Sequence, residues 1–207
     1  MEWIDELNAK YGANEPLGIL EIREVLSCYS TPRIYQLLES AIADGKIMRF
    51  ENGIYYIPTQ TIFGTSRLDS AKVIERKYVT RGTEVYGYYS GLTLLNGLGL
   101  TTQVPNVVEV VTNNEASRVR EVFVGKQRVR LRKARMFITS ENADALAVLD
   151  LFNQVDPTKI ENADWCGVTE YLKANDLTLR KIMEYSAVYP ARAVKNFMNS
   201  GVAYAVA

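Results

Sequence analysis

The chain has 207 residues, 47% of them hydrophobic, and its 24 basic and 24 acidic side chains leave no net charge. That content allows one large domain or two small ones with a buried core. It contains no run of about eighteen apolar residues, which excludes a membrane-spanning helix, and the acidic, amphipathic start MEWIDELNAK argues against a secretory signal.

Histidine is absent. Its absence removes Ser-His and Cys-His nucleophile pairs, histidine general bases and the commonest metal ligand in one step. Cys28 and Cys166 are far apart, so a zinc site would have to draw on scattered carboxylates. No G-x-G-x-x-G or Walker-type loop is present. The expectation is a protein that is not an enzyme and has no cofactor and no metal. Two thiols without a framework suit a reducing cytoplasm, and both are expected to be buried as small apolar side chains.

Charge is unevenly spread. Residues 1–58 hold five basic and nine acidic side chains (net −4), residues 59–137 thirteen and six (+7), and residues 138–207 six and nine (−3). The middle third is therefore the candidate for meeting a polyanion.

In chain order, Trp3, Ile4, Leu7 and Tyr11 sit at helical spacing, and Gly12 ends that helix. Residues 19–27 form a second short helix with Ile22, Val25 and Leu26, and Cys28, Tyr29 and Ser30 form a turn. Thr31-Pro32 reads as an N-cap followed by proline at the first helical position. The third helix, to Ala43, sets Ile34, Leu38, Ala41 and Ile42 on one face and Arg33, Tyr35, Gln36 and Ser40 on the other. After Asp44-Gly45, KIMRF and IYYIP flank Glu51-Asn52-Gly53, a strong hairpin signal.

This order is that of a winged helix-turn-helix, whose third helix would enter a DNA major groove and whose hairpin is the wing. Thr31, Arg33, Tyr35, Gln36, Lys46 and Arg49 are then the DNA-contact candidates. A winged helix can also bind protein, and the acidity of this segment leaves that alternative open.

The segment Thr59–Leu68 reads as a polar linker, with Gly64, Thr65 and Ser66. This gives a winged-helix domain at 1–58, a linker at 59–68 and a second domain at 69–207. A helix is expected over Ala71–Val79. The richest stretch, Gly87–Asn113, follows. Ser90 caps a short helix carrying Leu92, Leu94, Leu95 and Leu98, Gly97 and Gly99 end it, and Val107, Val108, Val110 and Val111 form a mostly buried strand interrupted by Glu109.

Residues 117–135 read as two strands joined at Gly125-Lys126. Period-two spacing sets Arg128, Arg130 and Arg132 on one face, with Arg118, Arg120, Lys126, Lys133 and Arg135 nearby. Three guanidiniums on one side of a strand repel unless they are solvated or face an anion. Two readings stand: a polar face with carboxylates across the sheet, or a basic surface for DNA backbone, RNA or an acidic partner. A helix from Ser140 buries Leu146, Leu149 and Phe152, and Asp156-Pro157 ends it. Helices are expected at 169–174, 178–186 and 190–199, with Trp165, Tyr171, Tyr185 and Tyr189 as core; whether the tail Val202–Ala207 packs is open.

Two groups of motifs resemble a known family. Ser30-Thr31-Pro32-Arg33, Asp44-Gly45-Lys46-Ile47 and Asn52–Pro58 are similar to the N-terminal winged helix of AbiEi-type antitoxins. Tyr89-Ser90, Leu94-Leu95, Gly99–Asn106 and Thr112-Asn113 resemble the signature of the same AbiEi-like antitoxin and transcriptional-regulator family, over about residues 18–153.

The resemblance implies an α+β protein: an N-terminal winged helix-turn-helix, then a mixed α/β antitoxin domain with a small sheet. It further implies a cytoplasmic antitoxin that neutralises a nucleotidyltransferase-like toxin and represses its own operon by binding operator DNA. The rivals are a winged-helix protein-interaction module or regulator unrelated to a toxin, and a nuclease-like enzyme using Glu109, Glu115 or Asp150, for which no motif spacing exists.

Overall fold

Trp3, Ile4, Leu7 and Tyr11 line one side of α1 (Glu2–Tyr11), and Ile4 and Leu7 are buried. In this computed structural model, which describes residues 2–62, 64–159 and 165–206, the chain divides into two units, 1–76 and 77–207. The fold class is α+β.

In the first unit, β1 (Leu17–Gly18) leads directly into α2 (Ile19–Val25), whose start is held by the Glu21 carboxylate accepting the Gly18 N–H at 3.1 Å. Next comes α3 (Thr31–Ala43), with Pro32 in its first turn and Ile34, Leu38 and Ala41 buried. Strands β2 (Met48–Glu51) and β3 (Ile54–Tyr56) form a hairpin with a register shift between Arg49 and Glu51. Gly53 in its turn has φ +81°, a conformation that favours glycine. The sheet order is β1-β3-β2. Its core joins Leu7, Leu17, Ile22, Leu26, Ile34, Leu38, Ile47 and Tyr55.

Residues 59–68, expected as a linker, instead carry the short hairpin β4 (Gln60–Thr61) and β5 (Gly64–Thr65), and the unit boundary falls after Arg76, within α4 (Ser70–Tyr78). Polar ties hold this stretch to the first unit. The Ser66 hydroxyl donates to the Asn14 side chain and accepts the Thr59 N–H at 2.8 Å. Lys72 pairs with Glu15, and Arg76 with Glu21. None of these distant partners is visible in a local hydropathy pattern.

The second unit begins with the small hairpin β6 (Thr80–Arg81) and β7 (Glu84–Val85), then β8 (Gly87–Tyr89), α5 (Gly91–Gly97) and β9 (Val107–Thr112). Strands β10 (Val119–Val124) and β11 (Gln127–Lys133) follow, and the sheet order is β10-β11-β9-β8. β11 lies parallel to β9, whereas β10 and β8 are antiparallel to their neighbours. Val110, Val124, Val129 and Leu131 are completely buried.

The helical layer consists of α6 (Ala143–Gln154), α7 (Cys166–Ala174), α8 (Leu179–Glu184) and α9 (Ala191–Asn199). Ten of the eleven positions of α6 from Ala143 to Asn153, all but half-buried Asp144, are buried, so it is enclosed on all sides rather than on the single face expected. β8 and α9 both pack on it. Phe152 sits at its centre, with ring centroids 5.4 Å from Trp165 and 5.3 Å from Phe197. Val202 and Ala203 of the C-terminal 3-10 turn (Val202–Val206) join this core.

Further expectations need correction. The N-cap of α3 is Ser30, whose side chain makes no cap bond, so Thr31, expected as the cap, is the first helical residue and Pro32 the second. Cys28 and Cys166 are exposed rather than buried. Ser90 occupies the N-cap position of α5, but its side chain makes no cap bond, because a buried carboxylate on α6 takes it. Among the described residues, no helix is long and apolar enough to cross a membrane.

Candidate functional site

On α3 the 3.6-residue period turns Ile34, Leu38 and Ala41 into the core and leaves Thr31, Arg33, Tyr35 and Gln36 exposed. Arg33 donates to Gln36 Oε1 at 3.2 Å, so the two polar side chains stand together one turn apart. The Arg23 guanidinium lies 5.9 Å from the centre of the Tyr35 ring and steadies it. On the hairpin, Arg49 lies 5.5 Å from the Tyr55 ring centre and donates to its hydroxyl at 3.3 Å. Lys46 is exposed in the approach to β2. All six candidate contact residues are therefore in the first unit, on α3 or on the hairpin segment that follows it. Glu39 and Asp44 are exposed on the same α3 segment.

The arginine strand is β11, and the three guanidiniums do share a face. Each has a carboxylate partner. In register, Arg130 lies between Glu121 on β10 and Glu109 on β9. Its guanidinium is 3.1 Å from Glu121 and 3.6 Å from Glu109. Arg128 donates to the other Glu121 oxygen, with Nε at 2.8 Å. The hydrogen bonds from Arg128, and then Arg130, hold the Glu121 carboxyl below the usual carboxylate range.

Arg132, at the end of the strand, reaches Asp150 on α6. Arg120 pairs with the buried carboxylate of Glu115 at 2.8 Å. Burial alone would raise the Glu115 pKa, but the Ser117 N–H and Arg120 outweigh it and lower it. Arg118 and Lys126 are exposed and make no ion pair among the described residues.

Around Asp150, which is only 1% exposed, the structure assembles a polar cluster that sequence reasoning missed. The Ser90 hydroxyl donates to Asp150 Oδ2, Gln154 Nε2 donates to the same oxygen at 3.0 Å, and Arg132 contacts both Ser90 and Asp150. Burial opposes the charge on Arg132, but the Asp150 carboxylate outweighs it, so the Arg132 pKa is raised. A signal was present: Asp150 is a charge inside the apolar run ALAVLDLF. Next to this cluster, the hydroxyls of Tyr88 and Tyr189 hydrogen-bond at 2.7 Å.

Glu109, Glu115 and Asp150 thus each serve a different cation instead of meeting at one point. Among the described residues, no group of three or more Cys, Asp or Glu is placed to hold a metal ion.

Residues 13–176 match the model of a family of unknown function, DUF6088. That span includes the candidate contacts on α3 and the hairpin, the whole four-stranded sheet and α6. No curated protein matches the chain.

Proposed function

The chain belongs to this family of unknown function, DUF6088, and from its own geometry we propose that its first unit is a winged helix-turn-helix that binds operator DNA. The observation that carries the reading is the element order α1-β1-α2-α3-β2-β3 with sheet order β1-β3-β2, in which α3 keeps a polar, exposed face opposite its buried one. In a winged helix this third helix enters the major groove.

In that role Arg33, Tyr35 and Gln36 read base edges, while Thr31, Lys46 and Arg49 hold phosphates. The Arg33–Gln36 hydrogen bond pre-orients both side chains. In the second unit, Arg118 and Lys126 are the cations of the basic face that remain to attract a backbone, since Arg120, Arg128, Arg130 and Arg132 have carboxylate partners.

The resemblance of Gly87–Asn113 and of the N-terminal motifs to AbiEi-like antitoxins supports a fuller reading. The protein is a cytoplasmic antitoxin that suppresses a nucleotidyltransferase-like toxin and represses its own operon. On this reading residues 77–207 carry the antitoxin role.

Two assays test the two halves. A gel shift of the DNA upstream of its own reading frame tests operator binding. Co-expression with an adjacent nucleotidyltransferase-like protein tests rescue of growth. The net charge of −4 over residues 1–58 favours one second reading, a winged helix that binds protein. Rescue without any gel shift would select it.

A further inference from the structure

We propose that a cleft at the end of β11, beside Asp150 of α6, binds a phosphate group, either as the free anion or as the ester of a small molecule. The cleft encloses about 440 Å³ and is lined by Arg118, Arg132, Lys133 and Arg135 together with Tyr88 and Tyr189. It therefore gathers four cations: Arg132 and Lys133 at the end of β11, Arg118 just before β10 and Arg135 in the loop after β11. Its one carboxylate, Asp150, is buried and already held by Arg132, Ser90 and Gln154.

The contrast with the rest of the same sheet carries the inference. Along β11, Arg128 and Arg130 share Glu121, and Arg130 also meets Glu109. Among the cleft's cations only Arg132 has a carboxylate partner in the described residues, Asp150. Arg118 and Lys133 make no ion pair among the described residues, and Arg135 has only the Tyr189 ring, 5.0 Å away. Converging cations repel one another unless an anion lies between them.

Arg132 adds a further feature. Its Nε is buried and lacks an acceptor, although its terminal nitrogen holds Asp150. An arginine fork matches the spacing of phosphate oxygens. The Tyr88 and Tyr189 phenols give the cleft a neutral wall, because burial pushes Tyr189 up to about 12 and Tyr88 higher still. The volume lies within the range of small-ligand sites, so there is room for a body beyond the phosphate.

The test is isothermal titration of the full chain with inorganic phosphate, with adenosine and uridine monophosphates, and with unphosphorylated adenosine. Binding of phosphate or of either monophosphate, with none by adenosine, is expected. Tighter binding of the monophosphates identifies an ester as the ligand, and equal binding identifies the free anion.

Arg118→Ala combined with Lys133→Ala should weaken that binding at least tenfold. Both side chains are exposed and lie outside the Asp150 cluster, so the fold should persist, which circular dichroism checks. Lys126→Ala removes a charge from the hairpin turn away from the cleft and should leave affinity unchanged. No binding by any phosphate probe at millimolar concentration would overturn the proposal. So would equal losses in Lys126→Ala and the double variant, or tight binding of adenosine.

Discussion

Arg132 on β11 and Asp150 on α6 form an ion pair in which the carboxylate is 1% exposed and the arginine side chain 24%. The pair fastens the helical layer to the sheet. Removing one member strands the other in a poorly solvated site, a loss of about 3–5 kcal/mol for buried pairs. Asp150→Ala should therefore unfold at much lower urea concentration than wild type. A double replacement, Arg132→Met with Asp150→Leu, should recover most of the loss, because neither charge is then left alone. Urea unfolding followed by circular dichroism separates the two outcomes.

Gly87, where β8 begins, has no room for a side chain. A Cβ there would lie 1.9 Å from the Tyr78 carbonyl oxygen and 2.8 Å from that of Val111. Gly87→Ala should consequently abolish the folded second unit or lower its melting temperature sharply. Gly97, with open space around its would-be Cβ, supplies the control. Gly97→Ala should change stability by no more than about 1 kcal/mol, on the favourable side. Differential scanning calorimetry of both variants distinguishes a specific close approach from general sensitivity to alanine.

Glu115 supplies a pH dependence. Its folded-state pKa is lowered from 4.5, so the unfolded chain takes up the proton first as pH falls. Its contribution is fully present above the ordinary carboxylate pKa and is lost as pH drops through the lower, folded value. Glu115→Gln should therefore melt below wild type at pH 7, and the gap should close in acid below about pH 4. Melting temperatures across pH 3–7 read this directly, and a gap that widened in acid would contradict it.

Glu121 is expected to restrain DNA binding. It holds Arg128 and Arg130, so Glu121→Ala should release two cations and strengthen binding to random duplex DNA. Binding should also depend more steeply on salt, since each added phosphate contact contributes about 0.9 to the log–log slope. Arg128→Ala should leave random-sequence affinity nearly unchanged. Fluorescence anisotropy between 50 and 200 mM salt measures both, those salt values being of the order over which such slopes are resolved.

Local patterns in the sequence were enough for the longer helices, the first-unit hairpin and β9 to β11, but not for the short strands β1 and β4 to β8. Thr31-Pro32 marks the start of α3, Asn52-Gly53 the hairpin, and the alternation in QRVRLRK marks β11 with its arginines on one face. Pairings set by distant residues were not legible. The reading of carboxylates across the sheet from Arg128 and Arg130 is met, but the sequence does not single out Glu121 across the hairpin together with Glu109 across a parallel neighbour. Ser90 looked like a cap because the capping rule sees only the next few residues, whereas its partner lies sixty positions on. The cleft escaped notice for the same reason. Arg118, Lys133 and Arg135 read as part of one continuous basic strip until β10 and β11 pair and leave them beyond the last available glutamate.

The central claim is that α3 reads DNA, and its most direct test is the affinity of the Arg33→Ala chain for the duplex upstream of its own reading frame and for a scrambled duplex, by anisotropy at one fixed salt concentration. Losing a base-edge arginine should cost about 1–3 kcal/mol on the upstream duplex, and affinity for the scrambled one should barely change, so that specificity relaxes. Equal affinity of wild type and Arg33→Ala for the upstream duplex, or no preference by wild type for that duplex over the scrambled one, would contradict it.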